Sequence, residues 1–359
     1  MQHGMGRATS SRDIIGQVQT GLGRAAAFTS LPWARQQFVR VLGIDPYPGT
    51  LNLLVDFPSV ADWQALTVQP GLRIEPERAG DCGARCYPVL ASAAGRTPIT
   101  AGVLVPEVPG YAAQQVEVLA AVALREALAL SDGATVTLRT VPDRNRRAVL
   151  FDVDGTLVNS LDGYRLAAEK AVQPYGWPVS REAVRRSLNT GEQFWDLVIP
   201  PELRGDVDLV ARLRRDTMAH WPAVLDESVL LYPGIATMLS RLRSAGVRLG
   251  ICTASRGESF RPLEQAGLMD CFEQIITARD ITRRKPDPEG LLLCMERMGV
   301  APEDTAYIGD TVTDMQASHA AGLYTIGVLT GAADSSQLSG AGAHRILADL
   351  SGLPEILLV

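Results

Sequence analysis

Four short apolar runs, AVLFDV (148–153), VRLGICT (247–253), TAYIGD (305–310) and LYTIGVL (323–329), each end near a polar residue or a glycine and are separated by helix-length amphipathic stretches. Strands that are apolar throughout must be covered on both faces, so this alternation predicts a doubly wound α/β unit with a parallel sheet between two layers of helices. In such sheets ligands bind beyond the carboxyl ends of the strands, which is where Asp152, Thr253 and Asp310 fall. Between 160 and 230 the alternation stops. The stretches LDGYRLAAEKAVQPYG and VDLVARLRRDTMAHW read as helices, which predicts an inserted helical cap over about 160–230.

The region ahead of this unit has a different texture. IIGQVQTGLG, TLNLLVD, ITAGVLVP and ATVTLRTV are short β-rich segments punctuated by Gly and Pro, including the turn DPYPGT. LPWARQQFVRVLG is expected to be a helix with Trp33, Phe38, Val41 and Leu42 near one face and a stop at Gly43. QQVEVLAAVALREALAL is expected to begin helical. At 359 residues the chain exceeds one compact domain by the usual prior of roughly 150 residues each. The expected organisation is two domains, 13–141 and 148–359, joined by the polar linker 142–147, PDRNRR.

Composition excludes several classes. The net charge of −6 argues against general nucleic-acid binding, and no apolar run is long enough to span a bilayer. MQHGMGRATSSRD lacks the apolar stretch of a secretory signal, so a cytoplasmic location is expected. Five scattered cysteines suggest buried thiols rather than a disulfide framework or a zinc site. Of 34 basic residues only Lys170 and Lys285 are lysines, which makes each position informative.

FDVDGTLVNS places Asp152 at a strand end and Asp154 two residues on. A carboxylate there can attack phosphorus and form an aspartyl-phosphate, splitting a hard hydrolysis into two easier steps. The second carboxylate is placed to protonate the leaving alcohol and then deprotonate water. Thr253 in LGICTAS offers a hydroxyl to a phosphoryl oxygen, and Lys285 in RRKPDP offers a compact positive charge. Asp310 and Asp314 in YIGDTVTD bring oxygens suited to Mg2+. Taken singly, each has an ordinary reading: a turn, a strand-end cap, a solvated lysine, a helix cap. Their occurrence together and in this order decides for the chemistry. Phe194, Trp195 and Arg256, with Gly191, are candidates for substrate selection, although Phe194 and Trp195 also suit the core of the cap.

These motifs, with LYPG at 231–234, resemble the haloacid dehalogenase superfamily, and within it the phosphoglycolate phosphatase-like subfamily, over 147 to about 350. The resemblance implies Asp152 as nucleophile, Asp154 as general acid/base, and Thr253 and Lys285 as phosphate binders. It also implies a Mg2+ site from Asp152, Asp310, Asp314 and the Asp154 backbone carbonyl. The aspartate at 154 favours a phosphatase or phosphomutase over a dehalogenase or an ion-pumping ATPase.

In the first region Thr50 and Asn52 lie two apart on a strand after a Pro-Gly turn, so their oxygens share a face. Two readings fit: a polar strand face, or ligands for a Mg2+ carried by nucleotide phosphates. The pieces TGLGRA, FTSLPW, LGIDPYPGTLN, VPE and LREALALSDG resemble the archaeal-type CTP-dependent riboflavin kinases, which are small β-barrels. That resemblance implies a nucleotide loop at Gly21, Leu22, Gly23, Arg24, Ala25 and Ala26, and further nucleotide contacts at Val122, Ala123, Leu124 and Arg125. It implies Thr50 and Asn52 as Mg2+ ligands and Glu117 as a flavin contact. The sequence departs from that family at Pro109, where a flavin-contacting Thr is expected, so a hydroxyl and a backbone N–H are lost.

Two functions follow. One is a bifunctional enzyme making FMN from riboflavin and CTP and hydrolysing a phosphate monoester of flavin metabolism, either FMN or a phosphorylated ribitylaminouracil. The other is a general sugar-phosphate or phosphoglycolate-type phosphatase regulated by a non-catalytic flavin- or nucleotide-binding barrel. Small molecules are the expected partners of both.

Overall fold

The computed structural model describes residues 12–21, 24–78, 81–108, 111, 114–141, 146–190, 192–227 and 229–358. Leu22, Gly23, Pro109, Gly191 and most of the expected linker lie outside the described residues.

Seven strands form the first sheet: β1 (Asp13–Gln19), β2 (Leu51–Val55), β3 (Leu72–Ile74), β4 (Ala84–Ser92), β5 (Ile99–Pro106), β6 (Gln115–Ala120) and β7 (Thr135–Thr140). The antiparallel order β4-β5-β6-β2-β1-β7 closes when β7 pairs with the second half of β4, Val89 facing Thr140 and Ser92 facing Thr137. β3 pairs with the first half of β4. The result is a six-stranded closed barrel with β3 appended, and closure removes the free edges that would invite aggregation. Period-2 alternation fills it: Ile14 and Val18 of β1, and Leu51, Leu53 and Val55 of β2, point inward and are buried.

The helices of this half are α1 (Arg24–Ser30), α2 (Pro32–Leu42), α3 (Val60–Thr67) and α4 (Leu124–Ala127). The expected helix α2 forms, but its buried row is Ala34, Phe38 and Leu42, spaced by four, with Trp33 and Val41 flanking it. The expected helical start of 114–130 is corrected: Gln115–Ala120 is strand β6, paired with β2 and β5, and only Leu124–Ala127 is helical. VEVLA satisfies both periods, and the barrel's need for a strand between β2 and β5 decides between them.

The second sheet is parallel, order β10-β9-β8-β11-β12-β13. Its strands are β8 (Ala148–Phe151), β9 (Arg248–Cys252), β10 (Gln274–Ile276), β11 (Thr305–Gly309), β12 (Tyr324–Val328) and β13 (Arg345–Leu347). Between β8 and β9 come α5 (Ser160–Val172), α6 (Arg181–Thr190), α7 (Phe194–Val198), α8 (Val207–Glu227) and α9 (Ile235–Ser244). The remaining helices are α10 (Arg261–Gln265), α11 (Glu289–Met298), α12 (Val312–Ala320), α13 (Ser335–Gly340) and α14 (Leu353–Leu357). Every residue of β8, β11 and β12 is buried, as strands covered on both faces must be. α5 to α8 gather round a separate apolar cluster that includes Trp195, Leu209 and Leu213, so the inserted segment is a helical cap with a core of its own. Among the described residues no helix is long and apolar enough to cross a membrane.

Barrel and α/β unit touch along α13 and β13. Gly43, in the left-handed region at φ 66°, ends α2 against Ile346, where a Cβ would stand 2.1 Å from the Ile346 carbonyl oxygen. The Asp45 N–H donates to Ser335 Oγ at 3.1 Å, Ser339 Oγ donates to the Thr100 carbonyl at 3.1 Å, and Thr100 Oγ1 donates to the Ala343 carbonyl.

His344, next to this seam, accepts the Thr325 N–H on Nδ1 at 3.1 Å and lies 5.4 Å from the Tyr324 ring. Burial, with the charges of His319 and Arg146 adding to it, lowers its pKa to about 4. The unfolded value is near 6.5, so above that pH neither state is charged and the full stability is present. As pH falls from 6.5 towards 4 the unfolded chain takes up the proton first and stability is lost, by up to roughly 2–3 kcal/mol. Urea midpoints measured from pH 7.5 to 4.5 should show this loss, and His344→Gln should flatten that part of the profile. An unchanged slope in the variant would remove His344 as the cause.

Candidate active site

Parallel register sets the carboxyl ends of β9, β8 and β11 level: Phe151 is opposite both Ile251 and Ile308. The next residues, Asp152 after β8, Thr253 just past Cys252 and Asp310 after Gly309, therefore emerge side by side, and the Asp152 N–H extends the ladder to the Ile308 carbonyl at 2.9 Å. Asp152, Asp310 and Asp314 are 5%, 1% and 0% exposed, and an oxygen from each lies within 4.8 Å of the others.

Lys285 is the positive charge among them. Its Nζ donates to Asp152 Oδ1 at 2.7 Å, to the Tyr307 hydroxyl at 2.9 Å, and to Asp314 Oδ1. Asp314 also accepts the Tyr307 hydroxyl at 2.8 Å, and its other oxygen accepts the Thr311 N–H and hydroxyl in a capping box that starts α12. Asp310 Oδ2 accepts the Ala332 N–H at 2.8 Å. Glycines let the chain close on that carboxylate: a Cβ at Gly331 would stand 1.9 Å, and one at Gly155 (φ 82°) 2.4 Å, from Asp310 Oδ2. Asp154 lines the same cavity, and its Oδ1 accepts from Ser259 Oγ. Thr253, 2% exposed, accepts the Ser255 N–H on its hydroxyl at 3.1 Å.

Three buried carboxylates share one lysine, and their protonation records the imbalance. Burial pushes Asp152 well above the usual carboxylate range; Lys285 opposes this, while Asp314, Asp310 and Asp154 add to it. Burial likewise raises Asp310, to about 7, with Asp314 adding and the Ala332 N–H opposing. Burial works against ionised Asp314 too, but Lys285, Thr311 and Tyr307 outweigh it and hold the group below its ordinary value. Burial also opposes the charge on Lys285, and Asp152 and Asp314 overcome it, raising that pKa. A site with this surplus of buried oxygen charge fits a hard divalent cation, which would relieve it.

Beyond the strand ends lies a cavity of about 540 Å³, walled on the cap side by Tyr164, Val184, Leu188, Phe194 and Trp221 and floored by Asp152, Asp154, Thr253 and Lys285. Of the residues named from sequence for selectivity, Phe194 lines this cavity, Trp195 is 2% exposed in the cap core, and Arg256 is outside the lining. Sequence reading missed Tyr307, Ser259 and the Ala332 N–H. It also missed Tyr164 and Trp221, which differ in sequence in no way from cap-core aromatics.

In the barrel, a cleft of about 230 Å³ joins Thr50 to Val122, Ala123, Leu124 and Arg125, with Tyr47 and Gly49 at its wall. Asn52 pairs across the sheet with Glu117, and a Cβ on Gly21 would strike the Asn52 amide, so the 21, 50–52 and 117 positions meet. Ala26 lies beneath Gly49, Ala25 offers its carbonyl to the Thr29 hydroxyl, and Arg24 opens α1. Burial raises the Glu117 pKa; the Tyr111 and Thr50 hydroxyls stand close enough to oppose this, though neither hydroxyl makes a well-aligned bond within the described residues. Arg125 is spoken for, paired with Asp132 at 2.8 Å and donating to the Gln19 carbonyl at 2.8 Å.

A doubly wound sheet with a helical cap and acidic strand ends defines a class, and comparison with known families agrees. Residues 149–328 match the family model of haloacid dehalogenase-like hydrolases, half of the chain, and the chain belongs to that family. Residues 18–140 match the CTP-dependent riboflavin kinase model, described as domain of unknown function DUF120. Both matches are to enzyme families, and the chain is an enzyme.

Similar proteins include the phosphoglycolate phosphatase of Pseudomonas putida, 29% identical over 215 residues, covering 58% of this chain and 78% of that protein. The phosphoglycolate phosphatase of Escherichia coli K12 is 31% identical over 206 residues, covering 52% of this chain and 82% of that protein. Among solved structures, a "predicted phosphoglycolate phosphatase" from Haemophilus somnus superposes with a TM-score of 0.51 at 22% identity, over 59% of this chain and 97% of that one, a likeness of fold.

Proposed function

We propose that the chain is a Mg2+-dependent phosphate monoester hydrolase working through an aspartyl-phosphate, joined to a CTP-dependent riboflavin kinase that converts riboflavin and CTP to FMN and CDP. The hydrolase is residues 148–359 with its cap at about 160–230, the kinase is 13–141, and 142–147 link them. The observation that carries the hydrolase reading is the contact of Lys285 with both Asp152 and Asp314 beside Asp310, four groups from three separate segments of the chain converging on one point.

In this reading Asp152 Oδ attacks phosphorus while Asp154 gives its proton to the departing ester oxygen. Asp154 then takes a proton from water, whose oxygen attacks the phosphorus, and phosphate leaves with Asp152 regenerated. Ser259, bonded to Asp154 Oδ1, orients that acid/base. Lys285 and the Thr253 hydroxyl hold phosphoryl oxygens as charge builds on them. Asp152, Asp310, Asp314 and the Asp154 backbone carbonyl would hold Mg2+, which supplies charge neutralisation between nucleophile and phosphate. In the barrel, Thr50 and Asn52 hold the nucleotide's Mg2+, the 21–26 and 122–125 segments hold the nucleotide, and Glu117 contacts flavin. Union with the barrel supports a monoester of flavin metabolism, FMN or a phosphorylated ribitylaminouracil, as the substrate.

Phosphate release should be measured from a panel containing both compounds, phosphoglycolate and p-nitrophenyl phosphate, with Mg2+, after chelation and after Mg2+ is restored. The expected outcome is a loss on chelation of at least about 100-fold, in line with metal-site electrostatics, and full recovery. Release that ignores chelation would overturn the metal assignment.

A further inference from the structure

We infer from the cap wall that the hydrolase site takes monoesters whose leaving group carries a bulky, uncharged, planar heteroaromatic ring, and that Tyr164, Phe194 and Trp221 select it. The inference rests on the phosphatase reading and goes beyond it, because it follows from the cavity and not from the attached barrel.

The first argument is size. A cavity of about 540 Å³ lies within the roughly 300–1,000 Å³ that enclose ligands of many atoms, whereas a short hydroxy-acid phosphate would leave most of it to water. The second is charge. Among the described lining residues Lys285 is the only cation, and it is fully engaged at the phosphoryl end with Asp152 and Asp314. The cap arginines do not line the cavity: Arg181 pairs with Asp162 at 3.6 Å, while Arg185 donates to the Ala332 carbonyl at 3.0 Å and Arg214 to Gln193 at 3.1 Å. A second anion on the leaving group would thus lie against apolar rings with no cation besides Lys285 among the described lining residues to pair with it.

The third argument is shape. Tyr164 stands edge-on to Phe194 with ring centroids 5.2 Å apart and to Trp221 at 6.4 Å, so three rings form one wall against which a flat ring can pack. The polar groups beside them, Ser187 and Asn189, are neutral, and Asn189 Oδ1 is a buried acceptor with no partner among the described residues, suited to a ring N–H.

The test compares kcat/KM for FMN, glycerol phosphate and phosphoglycolate in the wild type, Trp221→Ala and Leu188→Arg. FMN should be the best of the three and phosphoglycolate the worst. Trp221→Ala should lower the ratio of kcat/KM for FMN to that for glycerol phosphate by roughly 10-fold or more. Leu188, 57% exposed, tolerates a charge without unfolding, and Leu188→Arg should raise kcat/KM for phosphoglycolate roughly 10-fold by giving its carboxylate a partner. Preference for phosphoglycolate in the wild type, or an equal fall for all three esters in Trp221→Ala, would overturn the inference. Turnover of p-nitrophenyl phosphate separates the two readings: its absence sinks the phosphatase itself, whereas its presence with phosphoglycolate preferred sinks only the selectivity.

Discussion

Asp152→Asn is expected to abolish phosphate release, by about 10³-fold or more, and at the same time to raise the thermal midpoint of the metal-free protein. The first effect follows because an amide oxygen cannot form the covalent phosphoryl intermediate, so the two-step route closes. The second follows from the charge balance. Asp152, Asp310 and Asp314 are buried around a single lysine, and burial already pushes Asp152 and Asp310 towards the neutral form. Replacing one carboxylate by a neutral group of the same shape removes a desolvation cost that Lys285 offsets only in part without a further cation, while Lys285 keeps Asp314 as its partner. Adding Mg2+ should stabilise the wild type more than the variant, since ligand binding to the native state adds in proportion to affinity. Phosphate assays and melting curves, each with and without Mg2+, check both halves. Surviving turnover would mean that another residue is the nucleophile, and a lower midpoint in the metal-free variant would mean that the Asp152–Lys285 contact outweighs its own desolvation.

Much of this was legible in sequence because the site is built from strand ends. Four runs such as AVLF, alternating with helix-length amphipathic stretches, read as buried parallel strands, and the residue after each then falls at the sheet's carboxyl edge, which is how Asp152, Thr253 and Asp310 are placed. The same logic hides Tyr307. Inside TAYIG it reads as one more core residue, and only the fold shows its hydroxyl reaching Lys285 and Asp314. Ser259, 105 positions from Asp154, and the Ala332 N–H meet their carboxylates through loops whose path no local period encodes. In the barrel, β1, β2, β5 and β7 were visible as strand segments, but β4 was not. ARCYPVLAS carries Pro88 and the charged Arg85, which weaken a strand reading, and it is held by pairing to β5 on one side and to β3 and β7 on the other. β6 shows the reverse fault, a segment that satisfies helical and strand periods alike until its neighbours choose.

The joint substitution Thr50→Ala and Asn52→Ala should remove CTP-dependent formation of FMN by about 100-fold or more and leave phosphate release from p-nitrophenyl phosphate as it was. The barrel's core sets the first condition for a clean result: Leu51, Leu53 and Val55 fill the interior, while Asn52 faces the opposite side, towards Glu117, so the double change subtracts oxygens without opening a cavity. The second condition is distance along the fold. The two sites share no residue, and the contacts between the halves run through Asp45, Thr100 and α13 rather than through the Thr50 cleft. The assay is FMN produced from riboflavin with CTP, with ATP as the control nucleotide. Unaltered FMN formation in the double variant would move the metal ligands elsewhere in the barrel. Wild-type protein that makes no FMN with either nucleotide would leave the barrel a binding module, which is where Pro109, in place of a hydroxyl-bearing residue, already points.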